Sequence, residues 1–184
     1  MDPTLQQVRD FADAAHGEQM RKYSDDRYIV HPERVMQLCS KITNDAAVLS
    51  AALLHDVLED TEVTAQELDE FLLTLLPPAD AARTVQYVKE LTDIYTKKNY
   101  PQWNRRKRRS KEAERLEKAS PEAQTIKYAD IIDNCPEIAR EDPDFADRYI
   151  SECRELLRKM TKGNEQLRLE AMDAVNRAKN PQGL

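Results

Sequence analysis

The stretch Ala51-Ala52-Leu53-Leu54-His55-Asp56-Val57-Leu58-Glu59-Asp60-Thr61 constrains the fold most, because a fully apolar turn runs straight into ionisable groups. Its spacing predicts a helix from Ala46 to about Leu58, with Asn44-Asp45 as the cap and Ala51, Leu54 and Leu58 on the core-facing stripe. On helical spacing His55 lies four residues before Glu59, and Asp56 four before Asp60, so the pairs stack one turn apart. At neutral pH this sets three carboxylates beside an imidazole. Such a cluster next to buried residues is unfavourable unless a cation neutralises it. Two readings follow: half of a metal site, or a solvated helix end. The second suits Glu59 and Asp60 but suits His55-Asp56 poorly, since these follow directly on the apolar turn.

Composition removes several function classes. Three glycines in 184 residues leave no glycine-rich loop to cradle phosphates on backbone amides, which excludes a dinucleotide fold or a P-loop. A formal charge of −6 argues against a general nucleic-acid binder, so phosphate recognition has to be local. Cys39, Cys135 and Cys153 are widely spaced and in no paired motif, which suggests reduced thiols packed as small hydrophobes in a cytoplasmic protein. No apolar run is long enough to span a bilayer. The length suits one domain, and 34% charged residues fit an all-α fold with solvated outer faces.

Val8, Phe11, Ala12, Ala15 and His16 repeat at helical spacing over about Thr4 to Met20, with His16 read as a packed or capping histidine. Arg21 to Tyr28 reads as a polar surface connector, whose adjacent cations Arg21 and Lys22 suit surface charge or phosphate clamping. Tyr28-Ile29-Val30-His31-Pro32 draws His31 inward just before a helix from Glu33 to about Ile42. Thr64 to Glu67 has capping-box spacing and opens a helix to Leu76, stopped by Pro77-Pro78; Val85, Val88 and Leu91 mark the next. Residues Lys97 to Lys111 carry cations and two aromatics but no acid. A solvated helix face, a funnel for an anionic substrate and a nucleic-acid patch compete to explain them. Ser120-Pro121-Glu122 starts a helix that sets Lys127, Asp130 and Asn134 one turn apart on one face. Two further amphipathic helices, broken at Gly163, complete the chain as bracing elements.

Four inward-leaning candidates then stand on separate helices or turns: His31, His55, Asp56 and Asp130. Two imidazoles and two carboxylates suit a divalent first-row ion, and an octahedral shell completed by water favours Mn²⁺ or Fe²⁺ over structural Zn²⁺. The order His, His-Asp, Asp resembles the HD-domain phosphohydrolases. The strings Arg21-Lys22, Tyr28 to Pro32, Ala51 to Thr61, Leu91-Thr92 and Ile126 to Asp130 are similar to the hydrolase domain of RelA/SpoT-type alarmone enzymes, above all their stand-alone form, the small alarmone hydrolases. The resemblance covers residues 5 to 140.

It implies an all-α HD-domain fold of roughly eight to ten helices, in a single domain over 1–184 with its core at 5–140 and bracing helices at 144–178. It implies His31, His55, Asp56 and Asp130 as Mn²⁺ ligands, with Fe²⁺ or Zn²⁺ as substitutes. Glu59 and Asp60 become the catalytic acids, and Arg21, Lys22, Lys127 and Asn134 the substrate contacts. The implied reaction removes pyrophosphate from the 3′ position of ppGpp or pppGpp, a small-molecule nucleotide substrate, with no membrane or nucleic-acid partner. Where the family usually carries a basic residue after its last aspartate, this chain has Ile131, and Asp133 precedes Asn134. That keeps two alternatives in view: hydrolysis of another phosphorylated nucleotide such as NADPH, and a non-catalytic binding module built on Lys97 to Lys111.

Overall fold

A computed structural model describes residues 2–179, which are helical apart from turns, loops and one isolated antiparallel bridge between Met20 and Arg27. Ten helices are described, and they cluster into two compact units, Met1–Thr92 and Asp93–Leu184. None is long and apolar enough to cross a membrane.

The first unit holds α1 (Pro3–His16), α2 (Val30–Ser40), α3 (Ala46–Leu54), α4 (Val57–Asp60), α5 (Ala65–Leu73) and α6 (Pro78–Leu91). Every residue of α3 from Ala47 to Leu54 is buried, which requires neighbours on all sides. Helices α1, α2 and α6 supply them. Each fully buried leucine there contributes about 1.5–3 kcal/mol relative to exposure. Asp45 caps α3 by accepting from the Ala47 amide at 2.9 Å, and the fork of Arg83 ties that cap to α6 at 2.8 and 2.9 Å. The capping box at Thr64 forms as its spacing predicts, with Thr64 and Glu67 bonded reciprocally.

The expected helix from Ala46 to Leu58 is not continuous. It stops at Leu54, and Asp56 takes φ −99° and ψ −6°, the bridge region between helix and strand. A one-turn α4 then restarts at Val57, with the Glu59 and Asp60 amides bonded back to the Asp56 carbonyl. His31 likewise falls inside the first turn of α2, because that helix begins at Val30 rather than at Glu33.

The second unit holds α7 (Arg105–Leu116), α8 (Pro121–Glu141), α9 (Pro143–Lys159) and α10 (Glu165–Lys179). Ser120 caps α8, with Pro121 in its first turn, as the sequence indicates. The turn between α9 and α10 docks on α8: Tyr128 donates to the Met160 carbonyl at 2.7 Å, and Thr125 accepts from the Asn164 amide at 2.8 Å. Gly163 sits so close that an added Cβ would lie 2.6 Å from the Tyr128 ring and 2.9 Å from the Thr125 amide. Part of the basic segment is compensated within this unit. Arg105 forks onto Glu152 at 2.7 and 2.8 Å, and Arg109 pairs with Asp93 at 2.5 Å. The acids missing from Lys97 to Lys111 arrive from sequence positions further away.

Candidate metal centre

Three of the four expected ligands converge within the first unit. His31 in α2 and His55 at the end of α3 are 1% and 3% exposed, and Asp56 is half-buried between them. Asp56 Oδ2 lies 3.0 Å from His55 Nε2 and 3.7 Å from His31 Nε2, and the two imidazole rings meet edge to face at 5.1 Å. One ligand atom from each residue falls within 4.8 Å of the other two. Donors bound at about 2.1 Å and at right angles around one ion lie about 3.0 Å apart, so these separations suit a shared cation.

Local backbone explains the convergence. The helix breaks at Asp56, between the end of α3 and the start of α4, and at that break the carboxylate lies 3.0 Å from His55 Nε2. The Nδ1 of His55 faces the Ala52 carbonyl at 2.9 Å, and a carbonyl can only accept, so Nδ1 carries the proton. In the neutral ring the Nε2 lone pair then faces a carboxylate oxygen. Two acceptors 3.0 Å apart repel unless a cation lies between them, and a backbone carbonyl on the far nitrogen is how metal-bound histidines are commonly oriented. The residues present therefore fit a divalent metal.

Asp56 has a further partner whose role went unseen in the sequence. The Tyr28 hydroxyl donates to Asp56 Oδ2 at 2.5 Å, while its ring lies tilted against His16 at 4.5 Å and meets His31 edge-on at 6.0 Å. Its spacing of three residues before His31 was the available signal. Gln19 Nε2 reaches Asp60 Oδ2 at 3.3 Å, and His16 Nδ1 reaches Gln19 Oε1 at 2.9 Å. Loss of hydration and then the negative charge of Asp56 raise the Asp60 carboxyl above its ordinary range. Glu59 and Asp60 occupy the short α4 and stand at the surface.

The expected substrate contacts divide between the units. The Arg21 guanidinium lies 6.0 Å from the Tyr28 ring centre, and the exposed Lys22 reaches the Tyr23 hydroxyl at 2.5 Å. The connector holding them is pinned by the Met20–Arg27 bridge and by the Arg21 amide bonding to the Asp26 carbonyl at 2.9 Å. In the second unit Asp130 is 6% exposed and held from both sides, by Lys127 Nζ at 2.7 Å and Asn134 Nδ2 at 2.6 Å. Lys127 and Asn134 thus orient Asp130. Ile131 is buried at 1% exposure, packed into that unit's core.

An all-helical fold carrying a His-His-Asp cluster on successive helices defines a class of metal-dependent hydrolytic proteins. The HD domain model matches residues 28–135, more than half of the chain, and the chain belongs to that family. It is 28% identical to a human protein described as guanosine-3′,5′-bis(diphosphate) 3′-pyrophosphohydrolase MESH1, over 98% of this chain and 95% of the relative. A protein of Aquifex aeolicus with the same enzymatic description is 42% identical over 66 residues, but these make up 36% of this chain and only 9% of that relative. Among solved structures, one described as a metazoan ortholog of SpoT that hydrolyses ppGpp superposes with a TM-score of 0.80 at 24% identity, covering 98% of this chain and 97% of the other. That likeness establishes a shared fold.

Proposed function

We propose that the protein is a divalent-metal-dependent nucleotide pyrophosphohydrolase that removes pyrophosphate from the 3′ position of ppGpp or pppGpp. The observation that carries this reading is the cluster of His31, His55 and Asp56 with two carboxylates on the helix that follows, in a chain similar over nearly its whole length to a ppGpp 3′-pyrophosphohydrolase. The family match crosses from Thr92 to Asp93, which supports treating residues 1–184 as one functional domain despite its two compact units.

His31, His55 and Asp56 would hold the ion, with Asp130 as fourth ligand. Two imidazoles and two carboxylates, with water completing the shell, favour Mn²⁺, with Fe²⁺ or Zn²⁺ able to substitute. When bound, the ion supplies a Lewis acid that offsets charge on a phosphoryl oxygen and lowers the pKa of water. Glu59 accepts the proton of the attacking water, and Asp60 orients that water. Attack at the phosphorus on the 3′ oxygen breaks that P–O bond, and the 3′ oxygen leaves with a proton. Arg21 and Lys22 contact phosphate and base, and Lys127 and Asn134 serve the nucleotide side while orienting Asp130. Three buried cysteines suit a compartment that keeps thiols reduced, the cytoplasm.

A second reading keeps the chemistry and changes the nucleotide, for instance to NADPH. It is favoured by the buried Ile131, which removes a cation that the family usually carries beside its last aspartate. Incubation with Mn²⁺ and a panel of ppGpp, pppGpp and NADPH separates the two. Release of pyrophosphate from ppGpp supports the alarmone reading. Consumption of NADPH with ppGpp intact overturns it, and no turnover of any member favours a non-catalytic binding module.

A further inference from the structure

His16 ends α1 and is 7% exposed, yet it is placed to do more than fill space. Its Nδ1 lies 2.9 Å from Gln19 Oε1, and Gln19 Nε2 lies 3.3 Å from Asp60 Oδ2. Its other nitrogen, Nε2, is buried without a hydrogen-bond partner among the described residues. The backbone fixes the geometry. Gly17 takes φ +56°, a left-handed conformation that glycine adopts without strain, and turns the chain so that Gln19 sits beside Tyr28, whose amide bonds to the Gln19 carbonyl at 2.9 Å.

The direction of this chain of bonds follows from charge. An ionised carboxylate only accepts hydrogen bonds, so Gln19 has to turn its NH₂ toward Asp60 and its carbonyl toward His16. That carbonyl also only accepts, so Nδ1 of His16 carries a proton. A buried ring nitrogen without a partner is unfavourable, a cost that a packing residue without polar atoms would not incur.

We propose that His16 is a positioning residue. Acting through Gln19, it anchors the carboxamide whose NH₂ donates to Asp60 and thereby holds the Asp60 carboxylate in its working orientation. Without the Nδ1–H donor the carboxamide loses the bond that anchors its carbonyl end, and its NH₂ no longer holds Asp60 in place. The inference rests on the reading above, in which Asp60 serves the hydrolysis of ppGpp.

Two measurements test it. In steady-state kinetics on ppGpp with Mn²⁺, His16→Leu and Gln19→Leu should each lower kcat about tenfold, the worth of one hydrogen bond, with KM unchanged. The double variant should lose no more than Gln19→Leu alone, because both substitutions break one linkage. His16→Asn, whose side-chain NH₂ falls near the position of Nδ1–H, should restore most of kcat, whereas His16→Gln, with its NH₂ near Nε2, should not. Additive losses, an unchanged kcat in His16→Leu, or equal losses in the Asn and Leu variants would overturn the proposal. Independently of turnover, ¹⁵N–¹H spectra of the wild-type protein should show a proton on Nδ1 of His16. An Nε2–H tautomer, with no proton on Nδ1, overturns the proposal. A wild-type protein inert toward ppGpp refutes the proposed activity, and the tautomer then decides the hydrogen-bond chain by itself.

Discussion

At the scale of single residues, the site works through groups held at a cost. The raised carboxyl of Asp60 means that ionising it is harder in the fold than in the unfolded chain, first through lost hydration and then through Asp56. The folded state therefore binds that proton more tightly, and this group's contribution to stability falls as pH rises through the ordinary carboxylate range. Asp60→Asn removes the penalty. In the metal-stripped protein at pH 7 the variant should melt above the wild type, and the difference should shrink as pH falls below the carboxylate range, while turnover of the metal-loaded protein should drop; a lower melting temperature of the stripped variant at pH 7 would count against the account. The ligands His31, His55 and Asp56 were legible in the sequence because each interrupts or adjoins an apolar run, where an ionisable group needs a reason. Tyr28, Gln19 and His16 were not, since their roles come from hydrogen bonds and ring contacts made only once the loop after α1 folds back toward α4.

At the scale of elements, capping and periodicity located the helices well, and breaks within them poorly. The Thr64 capping box and the Ser120-Pro121 start appear where their chemistry places them, whereas the helix expected to run to Leu76 stops at Leu73 and Pro77-Pro78 instead opens α6. The stop at Leu54 was hidden, because Val57 and Leu58 continue the apolar pattern across the turn at His55-Asp56. That turn makes the ligand cluster, so the least legible feature of the element is the one that matters most to the site. Gly163 sets a similar limit in the second unit, where the turn before α10 touches α8 too closely for a side chain. Gly163→Ala should destabilise the protein by about 1–3 kcal/mol by overpacking, read as a fall in the denaturation midpoint with the m-value unchanged. A variant as stable as the wild type would show that the contact relaxes freely.

At the scale of the whole molecule, charge is managed locally. A net charge of −6 coexists with a run of cations whose partners Asp93 and Glu152 lie outside that run, so composition alone overstated the basic segment. His31, His55 and Asp56 all belong to the first compact unit. The most direct test of the account is a calorimetric titration of Mn²⁺ into the metal-stripped protein. One ion per chain should bind to the wild type and to Glu59→Gln, while Asp56→Ala should bind at least about 100-fold more weakly. A wild type that takes up no ion, or an Asp56→Ala variant that binds as tightly as the wild type, would contradict the claim that these side chains share one metal.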